Sequence, residues 1–340
     1  MRYIGGKSAL LNDIETFVVN RTNNVTKIID IFAGSGVVSS YFKSLNYNVI
    51  GNDFLYFAYV LSRGTTVLNS KPNFSKLNIE SPIDYLNALT LKAADVDIKD
   101  CFIFQNYSPH DTIKRMYFQN DNAVKIDIIR LTIKKWKLEN LINEDEYFYL
   151  LAALIAAVPY VSNITGVYGA YLKHWDKRTF KPLTLVAPTN IYNGNAIFYN
   201  QDCNELLPKI SADLLYADPP YNTRQYLPNY HVLETIARYD YPEIHGVTGM
   251  RNYENQKSAF CSKSSVASSF RRMIQNANVR YVVISYNSEG LLSKEQLSEI
   301  CLEFAVKKSF HYHDIDYRRY NNVGTKSSRV TEQIYFFEKG

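Results

Sequence analysis

The chain is constrained most by four consecutive residues, Asp218-Pro219-Pro220-Tyr221, and by the apolar run Leu214-Leu215-Tyr216-Ala217 that leads into them. A short, wholly apolar run of this kind reads as a strand buried on both faces, as in a parallel sheet flanked by helices. Two prolines stop the strand, because neither can donate to a ladder. In open α/β sheets the crevice beyond the carboxyl ends of the strands is where ligands bind. There Asp218 can accept a hydrogen bond, the prolines leave carbonyls with no competing N–H, and Tyr221 offers a flat face. The set makes a rigid polar cup for a planar ring that carries an amino group. A Pro-Pro turn with Asp218 as a cap is the plainer alternative.

Three further segments end apolar runs in acids. Ile28-Ile29-Asp30-Ile31-Phe32-Ala33-Gly34-Ser35-Gly36 carries a β-branched strand into a glycine turn and then a helix. Glycines there admit positive φ and a close approach of ligand to backbone; a tight turn with no ligand is the alternative. The GxGxxG fingerprint is absent, which argues against a nicotinamide or flavin cofactor. Asn48-Val49-Ile50-Gly51-Asn52-Asp53 ends a second strand in an acid. Asp53 follows the glycines at roughly the 20-residue distance from which such an acid reaches ribose hydroxyls; helix capping before Phe54 is its other reading. Ala196-Ile197-Phe198-Tyr199-Asn200-Gln201-Asp202-Cys203 ends a third strand, and Asp202 either faces a ligand or caps the next helix. Gly6-Lys7-Ser8 looks like the tail of a phosphate loop, but Met1 stands where the pattern needs a glycine.

On these motifs, in this order, the chain resembles the DNA amino-methyltransferases of the alpha arrangement, enzymes of Type II and IIS restriction-modification systems with an Asp-Pro-Pro-Tyr signature. The resemblance implies an α/β fold: a Rossmann-like, seven-stranded S-adenosylmethionine-dependent methyltransferase sheet, mostly parallel, with a largely helical target-recognition insertion. It implies S-adenosyl-L-methionine as cofactor, contacted by Tyr3, Lys7, Asp30, Phe32, Gly34, Asp53, Asp202 and Cys203. Tyr3 and Lys7 would close over the cofactor's carboxylate, Asp53 would take the ribose, and Asp202 the adenine amino group. Asp218, Pro219, Pro220 and Tyr221 become the catalytic residues, acting on N6 of an adenine flipped out of duplex DNA. This chemistry calls for no metal. Cytosine N4 and RNA adenine are the neighbouring substrates, and an inactive DNA-binding relative is the alternative from another class. Double-stranded DNA is the implied partner, with a short adenine-containing palindrome of the CATG type as target. A cognate restriction endonuclease is a further implied partner, without a stable complex; monomer and homodimer both stay open.

The 340 residues leave room for one large α/β domain plus an insertion. The catalytic domain is expected over 1–68 and 190–340, the insertion over 69–189, and a second DNA-contacting connection over 222–275 that orders on binding DNA. Lys134, Lys135 and Lys137 lie in a basic, aromatic stretch and face either phosphates or solvent. Thr165, Tyr168 and Lys173 sit in a glycine-bearing segment suited to a loop on DNA. Arg224 and Tyr226, just after the cup, position the flipped nucleotide or begin a helix beneath it; Arg251 is a further DNA candidate. Glu144 to Ala157 has helical spacing, Arg280 to Asn287 reads as a buried strand, and Thr331 to Glu338 reads as a terminal strand paired with Ala305 to Tyr312. A net charge of +5 is mild, so any nucleic-acid footprint is local. Four cysteines without a C-x-x-C fit a reducing cytoplasm, and no apolar run is long enough to span a membrane.

Overall fold

A computed structural model describes residues 6–318 and 329–340. The chain divides into two compact units: Gly5–Phe54, Gly194–Gln225 and Gln256–Gly340 form one, and Leu55–Asn193 with Tyr226–Asn255 forms the other.

The first unit is built on a seven-stranded sheet. Its strands are β1 (Lys27–Asp30), β2 (Asn48–Asn52), β3 (Ala196–Tyr199), β4 (Leu214–Ala217), β7 (Tyr281–Asn287), β8 (His311–Arg318) and β9 (Arg329–Glu338), in the order β3-β2-β1-β4-β7-β9-β8. The first five strands in that order run parallel, while β9 is antiparallel to both β7 and β8. This is the expected methyltransferase sheet, its antiparallel strand included. The period of two along each strand then sorts the side chains into two cores. Ile28, Val49, Leu214, Tyr216, Val283 and Ile334 join Ile14, Phe17 and Phe42 on one face. Ile29, Ile50, Leu215, Ala217, Val282 and Ile284 join Phe270, Met273 and Leu297 on the other.

The partner of β9 differs from expectation. It is 311–318: of the expected 305–312, only His311 and Tyr312 lie in the ladder, and Ala305 makes an isolated bridge to Lys339 just past β9. The cause is a turn: Ser309 N donates to Val306 O at 3.0 Å and Lys308 takes φ 70°, so extended pairing starts only after Phe310.

The second unit is helical, with a short hairpin of β5 (Ile244–His245) and β6 (Met250–Arg251). Its centre is the helix Glu144–Ala157, opened by a capping box between Asn143 and Glu146 and buried along most of its length. The helix Tyr56–Arg63 packs so closely on it that a Cβ on Gly64 would sit 2.3 Å from the Phe148 carbonyl. Glu234, on the helix Leu227–Arg238, accepts from Tyr56 N at 3.1 Å and Phe57 N at 2.9 Å. These contacts put the boundaries at 55–193 and 226–255, where the sequence suggested 69–189 and 222–275. Tyr230 and Leu233 are buried in the helical core, and Phe260 and Phe270 in the sheet unit's core. Among the described residues, no helix is long and apolar enough to cross a membrane.

Candidate active site

The carboxyl end of the sheet gathers the polar side chains. Residues of one parity along β1, β4, β7 and β9 are apolar through the middle of the sheet and become Asp30, Asp218, Ser285 and Glu332 at that end. Because β9 runs antiparallel, its amino end lies beside the carboxyl end of β7, with Glu332 in register with Asn287. Lys7 reaches this row from the segment before the helix Leu11–Val19. Its Nζ lies 2.9 Å from Asp218 Oδ1 and 2.9 Å from Glu332 Oε1, and the Lys7 side chain is only 8% exposed. Ser285 Oγ donates to the same Glu332 oxygen.

The charges respond to this crowding. Burial alone would lower the Lys7 ammonium, but the two carboxylates outweigh it and hold Lys7 above its ordinary value. Burial pushes the Asp218 carboxyl up to about 6; Lys7 opposes that rise and Glu332 adds to it. Asp218 keeps a fifth of its side-chain surface accessible, so the desolvation comes from surrounding protein rather than from a sealed cavity. Burial pushes Asp30 up to about 7, against a hydrogen bond from Ser39 Oγ at 2.6 Å to its Oδ2. Its Oδ1 is buried without a hydrogen-bond partner. Tyr221 is half-buried, and its carbonyl is fixed by Leu291 N at 2.8 Å. Pro219 is buried beneath the cup.

The turns after β1, β2 and β3 are tied together. Gly34 and Gly36 take φ of 54° and 75°, a left-handed path that a side chain resists. Gly34 N donates to Asp53 Oδ2 at 2.8 Å, so the acid after β2 holds the glycine turn. Asp53 does not cap a helix: the helix Tyr56–Arg63 begins without a side-chain cap. Asn52 is buried and donates to Ile31 O at 3.2 Å and Gln201 O at 3.1 Å, while accepting from Gln201 N. Asp202 does cap, accepting from Asn204 N at 2.8 Å. Phe32 meets Phe260 edge-on at 5.2 Å. The Cys203 thiol is buried in the core, so its side chain is corrected from a ligand contact to a packing residue. Tyr3 lies outside the described residues. Asn52, Ser39, Ser285 and Glu332 were not singled out in the sequence. Asn52 stands beside a flagged acid, and that was its only signal.

The residues assigned to DNA separate into two groups. Tyr168 is 1% exposed; its hydroxyl pairs with Ser162 Oγ at 2.8 Å and its carbonyl accepts from Tyr117 OH at 2.7 Å. Arg251 is 6% exposed and grips Asp240 through two bonds, at 2.9 and 2.6 Å. Both assignments are corrected: these side chains hold the helical unit together and present nothing to a ligand. Lys137 pairs with Glu144 at 2.6 Å, and Lys134 lies 5.6 Å from the Tyr241 ring centre. Lys135, Thr165, Lys173 and Arg224 are exposed and Tyr226 is half-buried. An Asx turn, Arg224 N to Asn222 Oδ1 at 2.9 Å, shapes the chain directly after the cup.

An acid and a tyrosine stand at the end of β4, beside a glycine turn at the end of β1, at the edge where open α/β sheets bind ligands. Residues 3–300 match the family model described as D12 class N6 adenine-specific DNA methyltransferase, and the chain belongs to that family. It is 44% identical to Type II methyltransferase M.FokI of Planomicrobium okeanokoites and 42% identical to modification methylase StsI of Streptococcus sanguinis, over all of this chain in each case. Those matches cover 53% and 52% of the relatives, so the chain spans about half their length. Type II methyltransferase M.NlaIII of Neisseria lactamica is 36% identical, with 100% of this chain and 99% of that protein covered.

Proposed function

We propose that this chain transfers a methyl group from S-adenosyl-L-methionine to adenine N6 at a specific site in double-stranded DNA, as the modification arm of a restriction-modification system. The observation that carries the reading is the Asp218 carboxylate at the mouth of the cup, backed by Lys7 and Glu332. The residues at the sheet's end suit the cofactor. The buried, unpartnered Asp30 Oδ1 and the left-handed glycine turn offer a polar, side-chain-free cradle, with Asp53, Asp202 and Phe32 around it. When bound, S-adenosyl-L-methionine would supply an electrophilic methyl group on a sulfonium, whose methyl–sulfur bond breaks to leave a neutral thioether.

The chain's own residues then handle the amine. An adenine amine is a weak nucleophile, because its lone pair is delocalised into the ring. Asp218 and the Pro219 carbonyl accept its two N6–H bonds, drawing the nitrogen toward tetrahedral geometry. Tyr221 stacks on the extrahelical base and offsets part of the few kcal/mol that flipping costs. Positive charge grows on N6 as the C–N bond forms, and a fixed carboxylate stabilises that state more than the ground state. The surplus N6 proton leaves to Asp218 or to a water beside it. Lys135, Thr165, Lys173, Arg224 and Tyr226 are the remaining DNA contacts. The protein works in a reducing cytoplasm, in keeping with its four free cysteines, beside a cognate endonuclease.

The test is mass-spectrometric base analysis of duplex DNA incubated with the chain and labelled cofactor. N6-methyladenine that disappears in Asp218→Ala supports the reading. N4-methylcytosine, or no methylated base from the unaltered chain, overturns it. Methylation-aware sequencing of the product reads the target, expected to be a short CATG-type palindrome.

A further inference from the structure

We propose that Glu332 is a positioning residue for methyl transfer: it holds the Lys7 ammonium against Asp218 and leaves the cluster with one negative charge in excess. This rests on the function proposed above and deepens it. A carboxylate facing a single ammonium forms a neutral pair, and its field on a neighbouring amine is largely cancelled. Here one ammonium serves two carboxylates, at 2.9 Å each. Both the Lys7 and Glu332 side chains are under 10% exposed, so solvent screens the cluster poorly. The excess charge equals the one the amine acquires as it is methylated. An acceptor for that charge, fixed before the reaction, lowers the barrier without reorganisation.

Glu332 reaches this place because its strand is reversed. A parallel strand in the position of β9 would have brought a residue from its other end to the ligand side. Ser285 Oγ on β7 holds the carboxylate, and the register across β7 and β9 fixes its height. The titratable groups around Asp218 are Lys7 from the segment before the first helix, Asp30 on β1, Tyr216 on β4 and Glu332 on β9. Glu332 acts to keep Asp218 a better base, and Lys7 acts to keep it ionised.

The experiment is Glu332→Gln, read two ways. In single-turnover methylation at saturating cofactor the rate should fall about tenfold or more, with DNA affinity unchanged. In the cofactor-free chain, the Asp218 carboxyl, followed by carbon-13 NMR and assigned with Asp218→Asn, should titrate about one pH unit lower, since a neighbouring like charge is gone. Glu332→Asp keeps the charge and should restore most of both readouts. Ser285→Ala keeps both carboxylates, so it should cost less than Glu332→Gln and leave the Asp218 titration in place. If Glu332→Gln fails to fold, as a melting curve would show, the last two variants decide. Equal loss in Ser285→Ala, or a wild-type rate and an unmoved Asp218 titration in Glu332→Gln, overturns the assignment. An unaltered chain that methylates no adenine defeats the proposed function instead, and the titration still tests the role of Glu332 in the cluster.

Discussion

The two units bury carboxylates differently. In the helical unit, Asp127 and Glu234 have both carboxylate oxygens hydrogen-bonded. Asp127 accepts from Ile103 N at 2.9 Å, Phe104 N at 2.8 Å and Tyr239 OH at 2.6 Å, closing the start of one helix. Arg251 has its own carboxylate, and Glu234 holds two backbone N–H groups and Arg238. In the sheet unit the account is left open: two carboxylates share one ammonium, and Asp30 keeps a buried oxygen without a partner. Matched burial fixes a structure. Unmatched burial costs stability, and folds keep it where charge is needed for chemistry. The contrast can be broken by substitutions in each unit.

The largest effect should come from Asp218→Asn set against Arg251→Met. Asp218→Asn removes the fixed charge, and its transfer rate should fall about 10²–10³-fold, with stability kept or improved. Arg251→Met leaves Asp240 without its partner and should cost about 2 kcal/mol of stability, with a transfer rate in the folded protein within about threefold of wild type. Single-turnover rates and denaturant melts on the same two preparations check both. A reversed pattern would erase the contrast.

Next in size is Tyr221→Ala. A stacked base is worth about 1–3 kcal/mol, so the rate should drop about 10–100-fold. DNA affinity in gel shifts should change less, because phosphate contacts elsewhere supply most of it. An affinity loss equal to the rate loss would move Tyr221 from the reacting base to general DNA binding.

A third test uses pH. Burial raises Asp30 and Asp127 to about 7, from ordinary carboxyl values near 3.8 when unfolded. Between those limits the folded state holds protons that the unfolded state has released, so stability falls as pH rises. Each such group contributes a slope of up to about 1.4 kcal/mol per pH unit. Urea unfolding from pH 4.5 to 7.5 should show the decline, and Asp30→Asn should flatten it in part, since Asp127 still contributes. An unchanged slope would mean that Asp30 is solvated in solution.

What could be read beforehand follows from which forces are local. The apolar runs at β1, β2 and β4 announce themselves, because parallel strands are buried on both faces, and the acids at their ends follow directly. The helix Glu144–Ala157 is equally plain from its spacing, while its Asn143 capping box was not read in advance. Glu332 was not legible. Thr331-Glu332-Gln333 looks like the polar start of a terminal strand, and only the reversed pairing with β7 carries Glu332 to the ligand end. Tyr168 and Arg251 were misread for the mirror reason: glycine-rich and basic surroundings suggested a surface, while their partners, Ser162 and Asp240, bury them.

The smallest effect sharpens the contrast at the surface of the helical unit. Of the three lysines near Trp136, Lys137 is held by Glu144 and Lys134 lies by the Tyr241 ring, while Lys135 is exposed. Each phosphate contact adds close to one unit to the slope of log affinity against log salt. Lys135→Ala should therefore reduce that slope by about one unit. Lys137→Ala should change it less, because its charge is already spent on a carboxylate. Fluorescence anisotropy on a labelled duplex across a salt series measures both. If the two variants behave alike and neither moves the slope, this helix face meets only solvent, and the DNA footprint falls to Thr165, Lys173, Arg224 and Tyr226.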